Sequence, residues 1–176
     1  MRTFISVRLN DGAIEEIKRI QKELSKSKLY EGKLTEGENL HLTLKFLGEI
    51  PDSLIEEVRN RLRKIKVRGF NVKLGDVGIF SQNFIRIIWI KLQGANELQK
   101  SIDEALDGIF DKEKRFMGHL TIARVKRVSD KLKFFELLKK IQVKGIEFEV
   151  DNFQIIESRL FSKGPKYRVI EKFSLS

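Results

Sequence analysis

HLTLKFLG, residues 41–48, and HLTIARVK, residues 119–126, hold the only two histidines of a 176-residue chain. Each histidine is followed by leucine and then by threonine. The chain has four threonines, Thr3, Thr35, Thr43 and Thr121, so half of them follow a histidine at the same spacing. An isolated His-x-Thr reads as a buried imidazole satisfied by its neighbour. A second copy in the other half of the chain makes coincidence the weaker account and points to a duplicated unit.

Working outward, the same order of elements surrounds both phrases. TFISVRL at 3–9 alternates as a half-buried strand, and the run at 12–24 places Ile14, Ile17, Ile20 (or Gln21) and Leu24 on one helical face. Residues 25–39, polar with two glycines, read as a long loop before the first phrase. A helix is predicted over 51–65, with Leu54, Ile55, Val58, Leu62 and Ile65 as its stripe, and a strand over 70–80. The second copy runs from a strand at 84–92, through a helix at 95–110 burying Leu98, Ile102, Leu106 and Ile109, to the second phrase. A helix at 129–141 and extended structure at 146–160 complete it, and a Gly-Pro turn precedes a closing strand at 166–174.

Two β-α-β-α-β copies predict a bilobal α+β chain, one domain over 1–176. Its lobes follow repeats at roughly 1–80 and 84–160, with the strand at 166–174 added. A pseudo-twofold axis would bring equivalent residues face to face, so the two histidines meet at one cleft.

Composition limits the chemistry. Hydrophobic residues at 41% and charged residues at 34% exclude a disordered chain. The lack of cysteine removes disulfides, thiol nucleophiles and cysteine-ligated zinc. No signal-like or membrane-spanning run is present, so the expectation is a soluble, cytoplasmic protein with no membrane partner. Abundant lysine and glutamate match the balance of heat-adapted proteins. A net charge of +10 favours polyanions, nucleic acid first.

Alternation points His41 and Thr43 to one face of their strand and Leu42 and Leu44 to the other; His119 and Thr121 repeat this. Zinc needs more than two imidazoles, so an Asp or Glu would have to complete its ligand set, and a Ser-His-Asp system lacks its nucleophile elbow. Two facing imidazoles suit acid–base chemistry, one accepting a proton and one donating it, as in-line displacement at phosphorus requires. The threonine hydroxyls beside them can hold non-bridging oxygens. Arg124 would add a bidentate grip, but strict alternation places it opposite His119 unless the strand twists, bulges or ends there. Lys45 has cleft parity and reads as a solvated lysine.

The two phrases, with RTFISVRL at the start and SRLFSKGPKYRVIEKFSL near the end, resemble the 2H phosphoesterase superfamily. The likeness is closest to its LigT-like RNA 2′,3′-cyclic phosphodiesterase branch, also called 2′-5′ RNA ligase. The resemblance implies two antiparallel-rich sheets around a central cleft, with helices outside. It also implies opening of a terminal 2′,3′-cyclic phosphate to a 2′-phosphate without metal or other cofactor, and in reverse the joining of RNA ends through a 2′-5′ linkage. His41 and His119 would be the acid–base pair, and Thr43, Thr121 and Arg124 the phosphate ligands. The implied partners are RNA ends bearing a cyclic phosphate, tRNA fragments among them, and nucleotides; the chain itself is expected to be a monomer. Asn10, Gly118 and Ser174 stand where members often have proline. The alternative is an RNA- or nucleotide-binding module without turnover. The basic segments at 25–39 and SKGPKY are candidate backbone contacts, and Tyr30, Phe46, Phe80, Phe84 and Tyr167 candidate stacking platforms.

Overall fold

In the computed structural model, which describes residues 1–176, each half of the chain contributes strands to both sheets. The elements are β1 (Arg2–Arg8), α1 (Asp11–Ser27), β2 (Tyr30–Leu34), a 3-10 turn (Gly37–Asn39), β3 (His41–Glu49), α2 (Asp52–Leu62) and β4 (Phe70–Gly78). They continue as β5 (Ile87–Gln93), α3 (Asn96–Ala105), β6 (His119–Val128), α4 (Lys131–Lys140), β7 (Glu147–Val150), β8 (Asn152–Phe161) and β9 (Gly164–Ser174). One sheet has the order β3-β1-β8-β9 and the other β2-β6-β5-β4-β7, every pairing antiparallel.

The lobes therefore do not follow the contiguous repeats 1–80 and 84–160. β4 leaves the first repeat to pair with β5, and β8 leaves the second to pair with β1. For β4 the reason is loop closure: only residues 79–86 separate it from β5, so their antiparallel pairing costs little chain entropy. The exchange keeps the pseudo-twofold relation, with β3, β1 and β8 matching β6, β5 and β4.

The helices form where the apolar stripes predict them. Asn10 caps α1, its side chain accepting from the Ala13 amide at 2.8 Å, and Ile17, Ile20 and Leu24 are fully buried. Thus Asn10 supplies a cap where proline would supply none. Asp130 caps α4 in the same way. Helix α3 stops at Ala105, short of the predicted 110; Leu106 is buried in the turn that follows. The extended run at 146–160 is two strands, divided at Asp151, and placed in different sheets. One contiguous hydrophobic cluster joins helices and sheets. No helix is long and apolar enough to cross a membrane.

Residues 25–39 are not a loop. Ser25–Ser27 finish α1, and Tyr30–Leu34 form edge strand β2 against β6. The strand is short and largely exposed, so it lacks the burial alternation that would announce it. Gly32 permits the pairing, since a Cβ there would collide with the Arg124 carbonyl.

Candidate active site

β3 and β6 carry the two histidine phrases into one cleft of about 600 Å³ between the sheets. His41, Thr43, His119, Thr121 and Arg124 all line it. The five residues expected at a single site are thus brought together, although the phrases lie in different halves of the chain.

Each imidazole is anchored through the backbone two residues before it. His41 Nδ1 lies 2.7 Å from the Asn39 carbonyl, and His119 Nδ1 lies 2.8 Å from that of Met117. A carbonyl only accepts, so Nδ1 carries the proton in both rings and Nε2 bears the lone pair when the ring is neutral. In the free protein the Thr43 hydroxyl donates to His41 Nε2 at 2.8 Å. Phe4 stacks on His41 at 4.7 Å and 26°, and Tyr167 meets the ring edge-on at 5.3 Å. Burial pushes the His41 pKa below the ordinary imidazole value, although the Asn39 carbonyl works in the opposite direction. Phe80 stands edge-on to His119 at 5.0 Å.

Matching bulges in the two strands set the direction of the residues beyond each histidine. In β6 the pairing with β5 steps from Thr121–Trp89 to Ala123–Ile88, leaving Ile122 as the extra residue. In β3 the pairing with β1 steps from Thr43–Ser6 to Lys45–Ile5, leaving Leu44 extra. Both lie three residues after the histidine. Two consecutive side chains, Ile122 with Ala123 and Leu44 with Lys45, then face inward, and the next residue returns to the cleft. That next residue is Arg124 in β6 and its symmetry counterpart Phe46 in β3. The bulge is the irregularity Arg124 needed to escape strict alternation.

The helices hold the bulges with polar side chains. Gln21 of α1 donates from Nε2 to the Ile122 carbonyl at 2.9 Å and to that of Thr35 at 2.8 Å. Lys45 corrects the expectation of a solvated lysine: it is 3% exposed and ion-paired with Asp103 of α3. Its strand parity gave no warning, because burial here depends on a partner from another element. A Gln21→Leu variant leaves the Ile122 carbonyl with only the Thr35 amide, at 2.9 Å. The expected outcome is about 1–3 kcal/mol lost by thermal or denaturant unfolding, with KM raised more than kcat is lowered as Arg124 loses its fixed direction.

The other sequence candidates divide. The segments holding Lys33 and Lys163 both reach the cleft, and they meet there, Lys33 Nζ donating to the Lys163 carbonyl. Tyr167 and Phe46 line it as well. Tyr30 does not: it packs at 6.0 Å on the fully buried Phe134. Phe84 lies outside, 62% exposed. Sequence reasoning missed Arg2 and Asn39, which also line the cleft. Asn39 donates from Nδ2 to the Pro165 carbonyl at 3.1 Å, tying the β8–β9 hairpin to the residue that anchors His41. Its position two residues before the histidine was the available signal. Gly118, immediately before His119, lies so close to the Leu92 carbonyl of β5 that a Cβ would collide with it.

The cleft is strongly cationic. Arg2, Lys33, Arg124 and Lys163 line it against one carboxylate, Glu36. The family described as "LigT like Phosphoesterase" matches residues 7–89 and 91–167. The chain belongs to the LigT-like phosphoesterase family.

Among the relatives of this LigT-like phosphoesterase is the RNA 2′,3′-cyclic phosphodiesterase of Methanocaldococcus jannaschii, 35% identical over 98% of this chain and 100% of that one. Those of Archaeoglobus fulgidus and Thermotoga maritima, which carry the same name, are 34% and 33% identical over 98% and 97% of this chain and 99% and 93% of theirs. The crystal structure of TT0787 of Thermus thermophilus superposes with a TM-score of 0.84 at 25% identity, covering 99% of this chain and 98% of that one. Escherichia coli LigT complexed with 3′-AMP shares the fold, with a TM-score of 0.75 at 20% identity and coverage of 99% and 98%.

Proposed function

We propose that the protein hydrolyses 2′,3′-cyclic phosphates at RNA ends or on nucleotides to 2′-phosphates, using two histidines and no metal. The observation that carries this reading is the pair of imidazoles lining one shared cationic cleft, each with Nδ1 tied to a backbone carbonyl, and with His41 Nε2 bonded to the Thr43 hydroxyl. The relatives named RNA 2′,3′-cyclic phosphodiesterase support the substrate class.

The chemistry follows from that arrangement. One neutral imidazole takes a proton from water as the water oxygen bonds to phosphorus. The phosphorus–O3′ bond breaks, and the other imidazole, protonated, gives its proton to O3′. The product keeps its phosphate on O2′. Charge accumulates on the two non-bridging oxygens, where the Thr43 and Thr121 hydroxyls and the Arg124 guanidinium donate. Each proton transfer contributes about 10²–10⁴-fold. A 5′-hydroxyl in the place of water would leave a 2′-5′ linkage by the same steps.

The test is product analysis with a nucleoside 2′,3′-cyclic phosphate and an oligoribonucleotide ending in one. The expected product is the 2′-phosphate, formed at an unchanged rate in the presence of a chelator. Tight RNA binding with no turnover of either substrate would replace this reading with a binding module.

A further inference from the structure

Beside the cleft lies a second, more open groove that the hydrolysis of a terminal phosphate does not use. Its floor is the far end of β6, and its walls are β2 and the segment leading into β5. It shares Lys33 and Arg124 with the cleft, so the two hollows adjoin.

The residues that face this groove are set by the β6 bulge. Once Arg124 has been returned to the cleft side, Lys126 shares its face and Val125 turns away. Arg86 and Phe84 alternate likewise about the half-buried Ile85, and Val125 is held there by donating its amide to the Arg86 carbonyl at 2.7 Å. Phe84 is 62% exposed, and the Arg86 guanidinium lies 4.2 Å from its ring centroid. The groove's carboxylate, Glu31, is already paired with Arg127 at 2.5 Å. Lys33, Arg86, Arg124 and Lys126 thus present positive charge beside an aromatic ring with a free face. Cations along a groove with an exposed ring suit single-stranded nucleic acid: the cations follow phosphates and the ring takes a base of any identity.

We propose that this groove binds the RNA strand on the 5′ side of the reacting nucleotide. The next phosphodiester lies against Arg86 and Lys126, and the penultimate base stacks on Phe84. The inference rests on the proposed cyclic-phosphate activity for its direction, because the strand leaves a terminal 2′,3′-cyclic phosphate only through the 5′ side of that nucleotide. It makes the protein selective for polynucleotide ends over free cyclic nucleotides. Arg124, common to both hollows, would hold the reacting phosphate at their junction.

Two measurements test it. In the first, kcat/KM is compared for a nucleoside 2′,3′-cyclic phosphate and for a trinucleotide ending in one, in the unaltered protein and in Phe84→Ala and Arg86→Ala/Lys126→Ala variants. The expected result is a preference for the trinucleotide that falls about tenfold in each variant, through KM, while the mononucleotide changes less than about twofold. Equal loss on both substrates, or no preference in the unaltered protein, overturns the proposal. The second measures anisotropy of a labelled trinucleotide 2′-phosphate. Weaker binding is expected in both variants, with a shallower salt dependence when Arg86 and Lys126 are removed; unchanged binding overturns the groove assignment. If no cyclic phosphate is turned over at all, the proposed activity fails, and the anisotropy comparison still decides the groove.

Discussion

Alanine at His41 or at His119 should lower turnover of a nucleoside 2′,3′-cyclic phosphate by about 10²–10⁴-fold, and alanine at both should lower it little further. The losses do not add because the two proton transfers belong to one displacement, and removing either group leaves only binding and charge stabilisation. The pH profile separates the two roles. Activity requires the base neutral and the acid protonated, so kcat/KM traces a bell whose rising limb belongs to the base and whose falling limb belongs to the acid. Each substitution should erase one limb, and the limb that disappears assigns the role.

The environment of His41 adds a signed expectation. Burial holds its pKa below the ordinary imidazole value and so favours the neutral ring in the free protein. NMR titration should therefore find its midpoint below the ordinary value and find it raised when a phosphate dianion enters the cleft, because the opposite charge favours the imidazolium. A free-protein midpoint at or above the ordinary value would contradict the account. Undiminished turnover in both alanine variants would sink the two-histidine mechanism.

Lys45→Met should be among the most destabilising single changes in the molecule. Lys45 donates to Asp103 and, at 2.7 Å, to the Asp111 carbonyl, and both charged side chains are almost wholly buried. Asp103 also accepts from Gln99 and from the Glu113 amide, each at 2.9 Å. Burial alone would raise the Asp103 carboxyl, but hydrogen bonds from Lys45, the Glu113 amide and Gln99 outweigh it and hold it below the usual carboxylate range. Removing the lysine leaves that carboxylate buried without its counter-ion. Breaking such a pair costs about 3–5 kcal/mol, or roughly 6–20 °C in the unfolding midpoint for a chain of this size.

The pH dependence has a definite sign. Because folding lowers the Asp103 pKa, its contribution is present above the unfolded carboxylate value and is lost as pH falls through the folded one. The gap in stability between the unaltered protein and Lys45→Met should therefore be widest near neutral pH and narrow in acid. Adding Asp103→Leu to Lys45→Met should recover much of the loss, since the orphaned charge goes with it. A Lys45→Met protein of unaltered midpoint would mean that the pair does not hold the β3 bulge against α3. The same variant should raise KM, because Phe46 takes its direction from that bulge.

Short-range pattern carried much of the molecule. Apolar stripes placed the four helices to within a turn or so, and the repeated His-x-Thr pointed to two pairs of residues that line one cleft, because strand alternation sends histidine and threonine to one face together. The two basic segments were also recognisable as neighbours of the site. β2 was not, since an exposed five-residue edge strand has no buried face to impose a period. Tyr30, one of the candidate stacking platforms, packs instead against the core, a difference set by α4 folding over it.

By itself, then, the sequence determined the four helices and the shared face of histidine and threonine in each of the two phrases, all of which depend on residues within a few positions of one another. Tertiary structure alone decided which strands share a sheet, since β4 and β8 change lobes to satisfy their backbones with partners from the other repeat. It also decided the fate of the residues beyond each threonine. One extra residue at Leu44 and one at Ile122 reverse the alternation, burying Lys45 and delivering Arg124 and Phe46 to the cleft. A bulge is set by hydrogen bonds to neighbouring strands and by side chains such as Gln21 and Lys45, so it becomes determinate only when distant elements have met.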